Sequence, residues 1–387
     1  MSSFLPPIFS KQNEGLSLLV DIQSGLVRCS LVFLGASNEE KSFPKIIHSI
    51  SRAIVQKEHI GGESLTKAML SVVGEVSSRV VEEGILRLKS YPKSSTDFHS
   101  SSIKSVHYIL SSPWIISQTK TIKIQYDVDT DITSSMIQGI LDEERTALLS
   151  KFKKENLEKD YDFDLTFIEQ KIFDMRLNGY PVESYKGKKA RTFELSFAVT
   201  LSSEKILESI HKTISAVVHT KKNHHHSGLI LQYIALMSLI DKNEYISVHI
   251  HGELTDAIVI KKGLSSSISS FPYGISTLVK KMSISMKNTI EASSSLLSIY
   301  GEDHMDNAEK DRLEKVLTPL AKDWQSQLLS SFPSPAPNLV YLSICSVSNK
   351  QFGIFKKILE TAGFEVMAFD KSLTEVYVSA LSQLSDI

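Results

Sequence analysis

The stretch Tyr245 to Gly263, YISVHIHGELTDAIVIKKG, constrains the fold more than any other part of the chain. Val248 and Ile250 precede Gly252, and Ile258 and Ile260 follow it, so apolar residues alternate on both sides of a glycine. Period-two alternation around a tight turn, His251-Gly252-Glu253, predicts a β-hairpin with half-buried strands. A glycine turn lets backbone N–H groups approach an anion, because no Cβ stands in the way. Thr255 and Asp256 follow with a hydroxyl and a carboxylate, groups suited to a phosphate or its metal. An ordinary hairpin with a glycine turn accounts for the same residues.

The same device stands near the N-terminus. Leu16 to Val32 reads as an apolar strand, the bend Asp21-Ile22-Gln23-Ser24-Gly25, and a second strand. Two hairpins of one design, about half a chain apart, predict an internal duplication. In a two-lobed protein they would face each other across a cleft and hold a polyphosphate from both sides.

The bulk numbers agree with two lobes. A chain of 387 residues is long for one core and suits two lobes with an insertion. With 42% hydrophobic and 22% charged residues it reads as a soluble globular protein. A net charge of −1 gives no general attraction to nucleic acid or to an anionic membrane. Cys29 and Cys345 sit in apolar runs and read as reduced core residues, which predicts a cytoplasmic location. The first fifteen residues lack the pattern of a signal peptide. The longest apolar stretch, Gly228 to Ile240, is interrupted by Gln232 and Ser238 and is short for a bilayer; a buried helix is expected.

In chain order, residues 1 to 14 read as a loose arm, Pro44 to Val55 as a third strand, and Ser64 to Leu88 as an amphipathic helix. A serine-rich loop (Ser94 to Ser102) precedes a short strand at Val106 to Ser111. A block of different character follows. It has a strand at Thr119 to Tyr126 and a helix capped by Thr130 or Asp131. Strands at Leu165 to Leu177 and Thr192 to Leu201 flank an Asn178-Gly179-Tyr180 turn, and Ser203 opens a helix. Lys221 to Ser227 reads as a polar connection, and Leu229 to Ile240 as a helix. Beyond the second hairpin, Ser269 to Gly274 ends a strand, and helical spacing covers Ser276 to Ile299 and Asp311 to Leu329. After the proline-rich Phe332 to Asn338 come a strand (Leu339 to Ile344), a helix (Gln351 to Ala362), a strand (Glu365 to Phe369) and a mildly amphipathic tail, Leu373 to Ile387.

The paired hairpins, the inserted block with its "NGY" turn (Gln170 to Val199) and the run SSFPYGIST (Ser269 to Thr277) resemble the actin-like ATPase superfamily. The nearest branch is the one that includes the division protein FtsA and the pilus assembly protein PilM. The resemblance implies a two-lobed α/β, ribonuclease H-like fold with a small inserted strand-helix-strand-strand α+β domain. It implies a first lobe over 1–114, an insert over 115–222, a return helix over 223–242, a second lobe over 243–370 and a helical tail over 371–387. It implies ATP with Mg as cofactor, with Asp21, Gln23, Ser24 and Gly25 at the first phosphate loop and Gly252, Glu253 and Thr255 at the second.

Three departures bear on that cofactor. Where the branch carries an acidic residue and two glycines, this chain has His249-Ile250-His251-Gly252, and Mg²⁺ prefers oxygen ligands to imidazole. Gln23 replaces a glycine of the first loop. The late strand runs into Ser343-Ile344-Cys345-Ser346-Val347-Ser348, with no glycine until Gly353, where a glycine pair would receive the purine. The expectation is a retained fold with weak or absent ATP hydrolysis and no catalytic residue, since phosphoryl transfer depends on positioned charge and metal. The implied function is a cytoplasmic scaffold or adaptor for type IV pilus assembly. It would be held at the inner face of the membrane by a membrane protein's cytoplasmic segment and capable of self-association. Two alternatives are an active ATPase with nucleotide-controlled assembly and a division-type adaptor. The latter needs a basic anchor helix, and Leu373 to Ile387 contains neither Lys nor Arg, so no direct membrane insertion is expected. His249 and His251 share a strand face, which allows two metal ligands, but solvent-facing histidines are the expectation.

Overall fold

A computed structural model describes residues 15–34, 45–54, 62–90, 102–156, 164–182, 184–261, 264–301, 304–332, 336–344, 352–369 and 372–385. The predicted arm at 1–14, most of the serine-rich loop, the centre of the proline-rich breaker and Cys345 to Ser348 lie outside the described residues.

The first hairpin is β1 (Gly15–Ile22) with β2 (Leu26–Leu34), extended by β3 (Lys45–Ala53). The long helix α1 (Gly62–Ser90) crosses back to β4 (Ser105–Leu110), which pairs parallel to β1. The 3.6-residue spacing seen in the sequence is the packing face: Met69, Val73, Val76 and Val80 are buried against Leu18, Val20, Val27 and Leu31.

The chain then leaves the sheet along β5 (Ile115–Asp131), longer at both ends than its alternating core suggests. Thr130 and Asp131 belong to that strand, so neither caps α2 (Ser134–Asn156); Thr133 does, its hydroxyl accepting from Met136 N–H at 3.3 Å. Strands β6 (Leu165–Leu177), β7 (Tyr180–Pro181) and β8 (Lys189–Ser203) complete a sheet ordered β5-β8-β6-β7. The Asn178-Gly179 turn has φ of 52° and 83°, the left-handed pair that a two-residue hairpin of this type needs. Leu141, Leu148, Phe193, Phe197 and Leu201 form this unit's own core. Helix α3 (Glu204–Ser215) directs Leu207, Ile210 and Ile214 into the first lobe's core instead.

Residues 223–227 do not connect as a loop. They form β9 (Asn223–Ser227), paired parallel to β4, and complete a sheet ordered β3-β2-β1-β4-β9. The imidazoles of His224 and His226 stack on His107, which stabilises a polar triplet inside a sheet. Ser227 then caps α4 (Gly228–Leu239), its hydroxyl accepting from Ile230 N–H at 3.3 Å.

The second lobe repeats the first. The hairpin β10 (Tyr245–Ile250) with β11 (Thr255–Lys261) is flanked by β12 (Leu264–Phe271). Helical spacing over 276–299 resolves into two helices, α5 (Ile275–Met286) and α6 (Ile290–Gly301). Lys287 ends α5 in the left-handed conformation, φ 56°, and Thr289 accepts from Ala292 N–H to start α6. After α7 (Asn307–Ser330) come β13 (Leu339–Ile344), α8 (Phe352–Thr361) and β14 (Glu365–Ala368), giving the order β12-β11-β10-β13-β14.

The tail is α9 (Leu373–Ser385), and it is not peripheral. As α4 follows β9, so α9 follows β14, and the two helices pack together. Val376, Tyr377, Ala380 and Leu381 share a core with Leu231 and Ala235 of α4, Ile109 of the first sheet, and Ile258 and Ile260 of the second. Helix α4 is apolar all round because Gly228 to Leu236 are buried on every side, Met237 and Ser238 near its end being exposed.

Candidate functional site

Each hairpin closes with a two-residue turn. Gln23 N–H donates to Leu26 O at 2.9 Å, and His251 N–H donates to Leu254 O at 2.8 Å. The duplicated sheets carry these turns to one place, between the lobes. There they touch. A Cβ on Gly252 would lie 2.7 Å from Gly25 Cα, and a Cβ on Gly25 would lie 2.9 Å from Gly252 Cα. Only a pair of glycines allows two backbones this approach. Ser24 Oγ accepts from Glu253 N–H at 2.9 Å, so a turn N–H that could face a phosphate is already bonded across the junction.

Gln23 fills the middle of the contact and is fully buried. Its Nε2 donates to Asp21 Oδ2 at 2.8 Å. Its Oε1 lies 3.1 Å from His251 Nδ1 and 3.4 Å from His249 Nε2, both on the opposite lobe. His251 Nε2 lies 2.8 Å from Asp256 Oδ2, and Asp256 Oδ1 accepts from Ser270. His249 Nδ1 lies 2.6 Å from Ser343 Oγ. The two rings meet edge to face, 4.3 Å between centroids. Both histidines are buried, at 2% and 1% exposure, which corrects the expectation that they face solvent. Burial, with His251 and Arg28 nearby, holds His249 well below the ordinary imidazole range. Burial pushes the Asp21 carboxyl up to about 6, against the opposing pull of Arg28 and the Gln23 hydrogen bond.

The remaining expected residues divide. Glu253 pairs with Lys280 Nζ at 3.0 Å. Thr255 points away from the junction: its hydroxyl donates to Tyr273 O at 2.6 Å and accepts from Trp324 Nε1 at 3.0 Å, inside the second lobe's core. The N-terminus of α5, an anion site in many folds, is satisfied by the loop itself. Ile275 N–H donates to His251 O at 3.0 Å and Ser276 N–H to Gly252 O at 2.6 Å. Two cavities, of about 210 and 330 Å³, lie elsewhere: one between α2 and the β5-β8 face, the other at the C-terminal end of α3.

As arranged, these residues do not fit ATP with Mg. The Gln23 amide and the two imidazoles occupy the space between the turns, and the N–H groups of Gln23, His251 and Glu253 are bonded to protein. Among the described residues, no group of three or more His, Cys, Asp and Glu could hold a metal ion. Two buried atoms here have no hydrogen-bond partner, Asp21 Oδ1 and Arg28 Nη1.

Sequence reading did not single out Arg28 or Ser270, and it set Ser343 on the purine side rather than beside His249. Hairpin register held the signal for the first, since counting outward from the turn sets Arg28 opposite Asp21, and their side chains come within 3.8 Å. Ser343 faces His249 across a parallel pair whose register the sequence does not carry.

No family model matches the chain, and no curated protein matches it by sequence. Among solved structures, the chain is similar to one described as a PilM-PilN type IV pilus biogenesis complex. Identity there is 11% and the TM-score 0.58, over 96% of this chain and 98% of that one. It is also similar to the ethanolamine utilization protein EutJ from Carboxydothermus hydrogenoformans, with 11% identity and a TM-score of 0.43, over 99% of this chain and 92% of that one. Such identities speak to architecture alone. With two sheets of matching strand order, their hairpins turned toward each other, and an α+β unit inserted in the first half, the chain has the two-lobed actin-like ATPase fold.

Proposed function

We propose that this chain is an actin-like scaffold or adaptor for a membrane-associated assembly, of the type IV pilus kind, and that it does not turn over ATP. The observation that carries this reading is the junction: Gly25 against Gly252, Ser24 on Glu253 N–H, and Gln23 between Asp21 and the two histidines. Residues that would hold polyphosphate and its metal instead hold the lobes together. The fold likeness to a chain solved in a PilM-PilN complex supports a membrane-protein segment as partner and a cytoplasmic location. Among the described residues no helix is long and apolar enough to cross a membrane.

A second reading rests on Asp21. A buried carboxylate oxygen without a partner suits a metal-bound water, so an opened junction would admit Mg-nucleotide and assembly would follow nucleotide state. Thermal melting with and without Mg-ATP separates the two. A ligand at a hundred times its dissociation constant adds about 2.7 kcal/mol, which moves the melting temperature visibly. No shift, together with phosphate release at background, is expected. A clear shift, or magnesium-dependent turnover, replaces the scaffold reading with the second one.

A further inference from the structure

Strand β9 is an edge of the first sheet and the first strand to rejoin it after the insert. Directly paired strand residues share a face, so Ser17, Ser105, His107, His224 and His226 lie together on one side of that sheet. They are connected. Ser17 Oγ lies 2.8 Å from Ser105 Oγ, Ser105 Oγ 3.1 Å from His107 Nε2, and His107 Nδ1 3.1 Å from His226 Nε2. His224 stacks on both rings, with centroids at 4.8 and 6.4 Å. The row ends on the insert. Glu169 of β6 accepts from Ser227 N–H at 2.8 Å through Oε2, and its Oε1 lies 3.8 Å from His226 Nδ1.

Two orders of protons satisfy this row, because a neutral imidazole donates at one nitrogen and accepts at the other. With both rings neutral and Glu169 ionised, His226 keeps its proton on Nδ1, toward the carboxylate. His107 Nδ1–H then donates to His226 Nε2, Ser105 O–H to His107 Nε2, and Ser17 O–H to Ser105. When one proton enters, it binds His107 Nε2 while the Nδ1 proton of that ring passes to His226 Nε2. The hydroxyls turn round, so that His107 donates to Ser105, Ser105 to Ser17, and Ser17 to Gly15 O at 3.4 Å. No bond of the row is lost, and His226 is an imidazolium beside Glu169. A second proton has no place. It would set two N–H groups and two cations against each other across the His107–His226 contact.

We propose that this row is a one-proton latch: it stores a single proton on His226, and the resulting charge ties the insert to the first lobe through Glu169. The pair is shielded from water, with side-chain exposure of 6% at His226 and 13% at Glu169, where a charge-assisted bond is strong. The groups around it direct the proton there. Burial, then the neighbouring imidazoles, hold His107 well below the ordinary imidazole range. Burial also lowers His224, with His226 and Lys222 near, and His225 to about 4, with His226, His211 and His224 near. Among the described residues His107, His224 and His225 meet no carboxylate, whereas His226 meets Glu169. Helix α4, which follows β9, carries no charged residue. Lys171, beside Glu169 on β6, is lowered by burial to about 8 and is the competing cation. The latch strengthens as pH falls and is lost as pH rises through the titration of His226. It uses no residue of the lobe junction and does not depend on the function proposed above.

A double-mutant cycle on the full chain tests it by denaturant unfolding, with circular dichroism to confirm folding. Glu169→Gln removes the charge and keeps an oxygen for Ser227 N–H, and His226→Gln removes the titrating ring. Unfolding is measured at about pH 5 and about pH 7, between the values of His225 and Lys171 and in the range where an imidazole changes charge. The coupling between the two residues is expected to be larger at the lower pH, by about fivefold or more in the unfolding constant. Equal coupling at the two pH values, or a larger one at the higher, overturns the proposal. Should His226→Gln fail to fold, magnetic resonance of the chain labelled on its histidine ring nitrogens carries the test. Nitrogen–nitrogen coupling across the His107–His226 hydrogen bond marks the pair. One ring of that pair is expected to gain a second proton over the same range, and Glu169→Gln to shift that step toward acid. A pair that stays neutral, or a step that Glu169→Gln leaves in place, overturns the latch.

Discussion

A single methyl group at position 252 probes the sealed junction most directly. A Cβ built there lies 2.7 Å from Gly25 Cα and 2.9 Å from Gly25 N, with Ser276 Oγ at 3.3 Å. The two nearest obstacles are backbone and have no rotamer to change. Gly25 and Gly252 lack the left-handed φ found at Gly179 and Gly187, so alanine's backbone preference does not enter. Restricting the unfolded chain would by itself add about 0.4–1 kcal/mol of stability. Overpacking opposes this with about 1–3 kcal/mol. Parting the turns also stretches the Ser24–Glu253 bond and the Gln23–His251 contact, each a net contribution of about 0.5–1.5 kcal/mol. Gly252→Ala is therefore expected to lose roughly 1–3 kcal/mol, and Gly25→Ala a comparable amount. The double variant is the sharper measurement. Once one methyl has parted the turns, the second enters the same gap, so the pair should cost less than its two parts by at least about 0.5 kcal/mol. Denaturant unfolding can be followed by tryptophan fluorescence, since Trp114 Nε1 donates to Gln23 O at 3.1 Å and reports on this junction. Neutral or stabilising single variants, or strict additivity, would refute direct contact between the lobes at these glycines.

Two further changes separate the junction's parts. Asp21 is raised from 3.8 to about 6, so between those values the folded chain keeps a proton that the unfolded chain loses. Its contribution to stability is thus greatest in acid and declines as pH rises through that window, by on the order of 3 kcal/mol. Asp21→Asn removes the titration, and the stability of the wild type relative to this variant should fall between the two ends of the window; parallel pH curves would disprove the assignment. Thr255→Val keeps the shape but leaves Tyr273 O and Trp324 Nε1 without their partner, and is expected to cost about 1–3 kcal/mol by denaturant unfolding; an unchanged midpoint would show that the hydroxyl has no structural role.

Much of the architecture is legible in the alternation of apolar residues. The two hairpins, the insert's long strands and α1 follow from periods of 2 and 3.6, because each element buries one face. What escaped the sequence depends on what lies beyond a segment. His224 to His226 read as polar, and it is pairing with β4, far away in the chain, that makes a β-strand of them, His224 and His226 stacking on His107 and His225 on Tyr108. The tail reads as mildly amphipathic because it meets α4 on one side and the first sheet on another. Lys287 interrupts a continuous helical spacing through a backbone conformation that side-chain periodicity does not record.

The candidate site shows the same division and carries a further step. Gln23 and the histidine pair read in sequence as separate departures, one in each loop, each weakening a nucleotide site. In space they complete one another. The Gln23 amide has a donor end on Asp21 and an acceptor end between His249 and His251, so each lobe supplies what the other lacks. A glycine at 23 would leave both imidazoles facing an empty space. A carboxylate at 249 or 251 would turn an acceptor toward the amide oxygen and add negative charge beside Asp21 and Asp256. The replacements therefore make sense only together, and what they build is a buried polar contact across the two lobes. Such a contact rigidifies when every member is satisfied and is costly when one is lost. Lobe closure, which in a nucleotide-driven protein would depend on a ligand between the turns, here has its bridging group encoded in the chain.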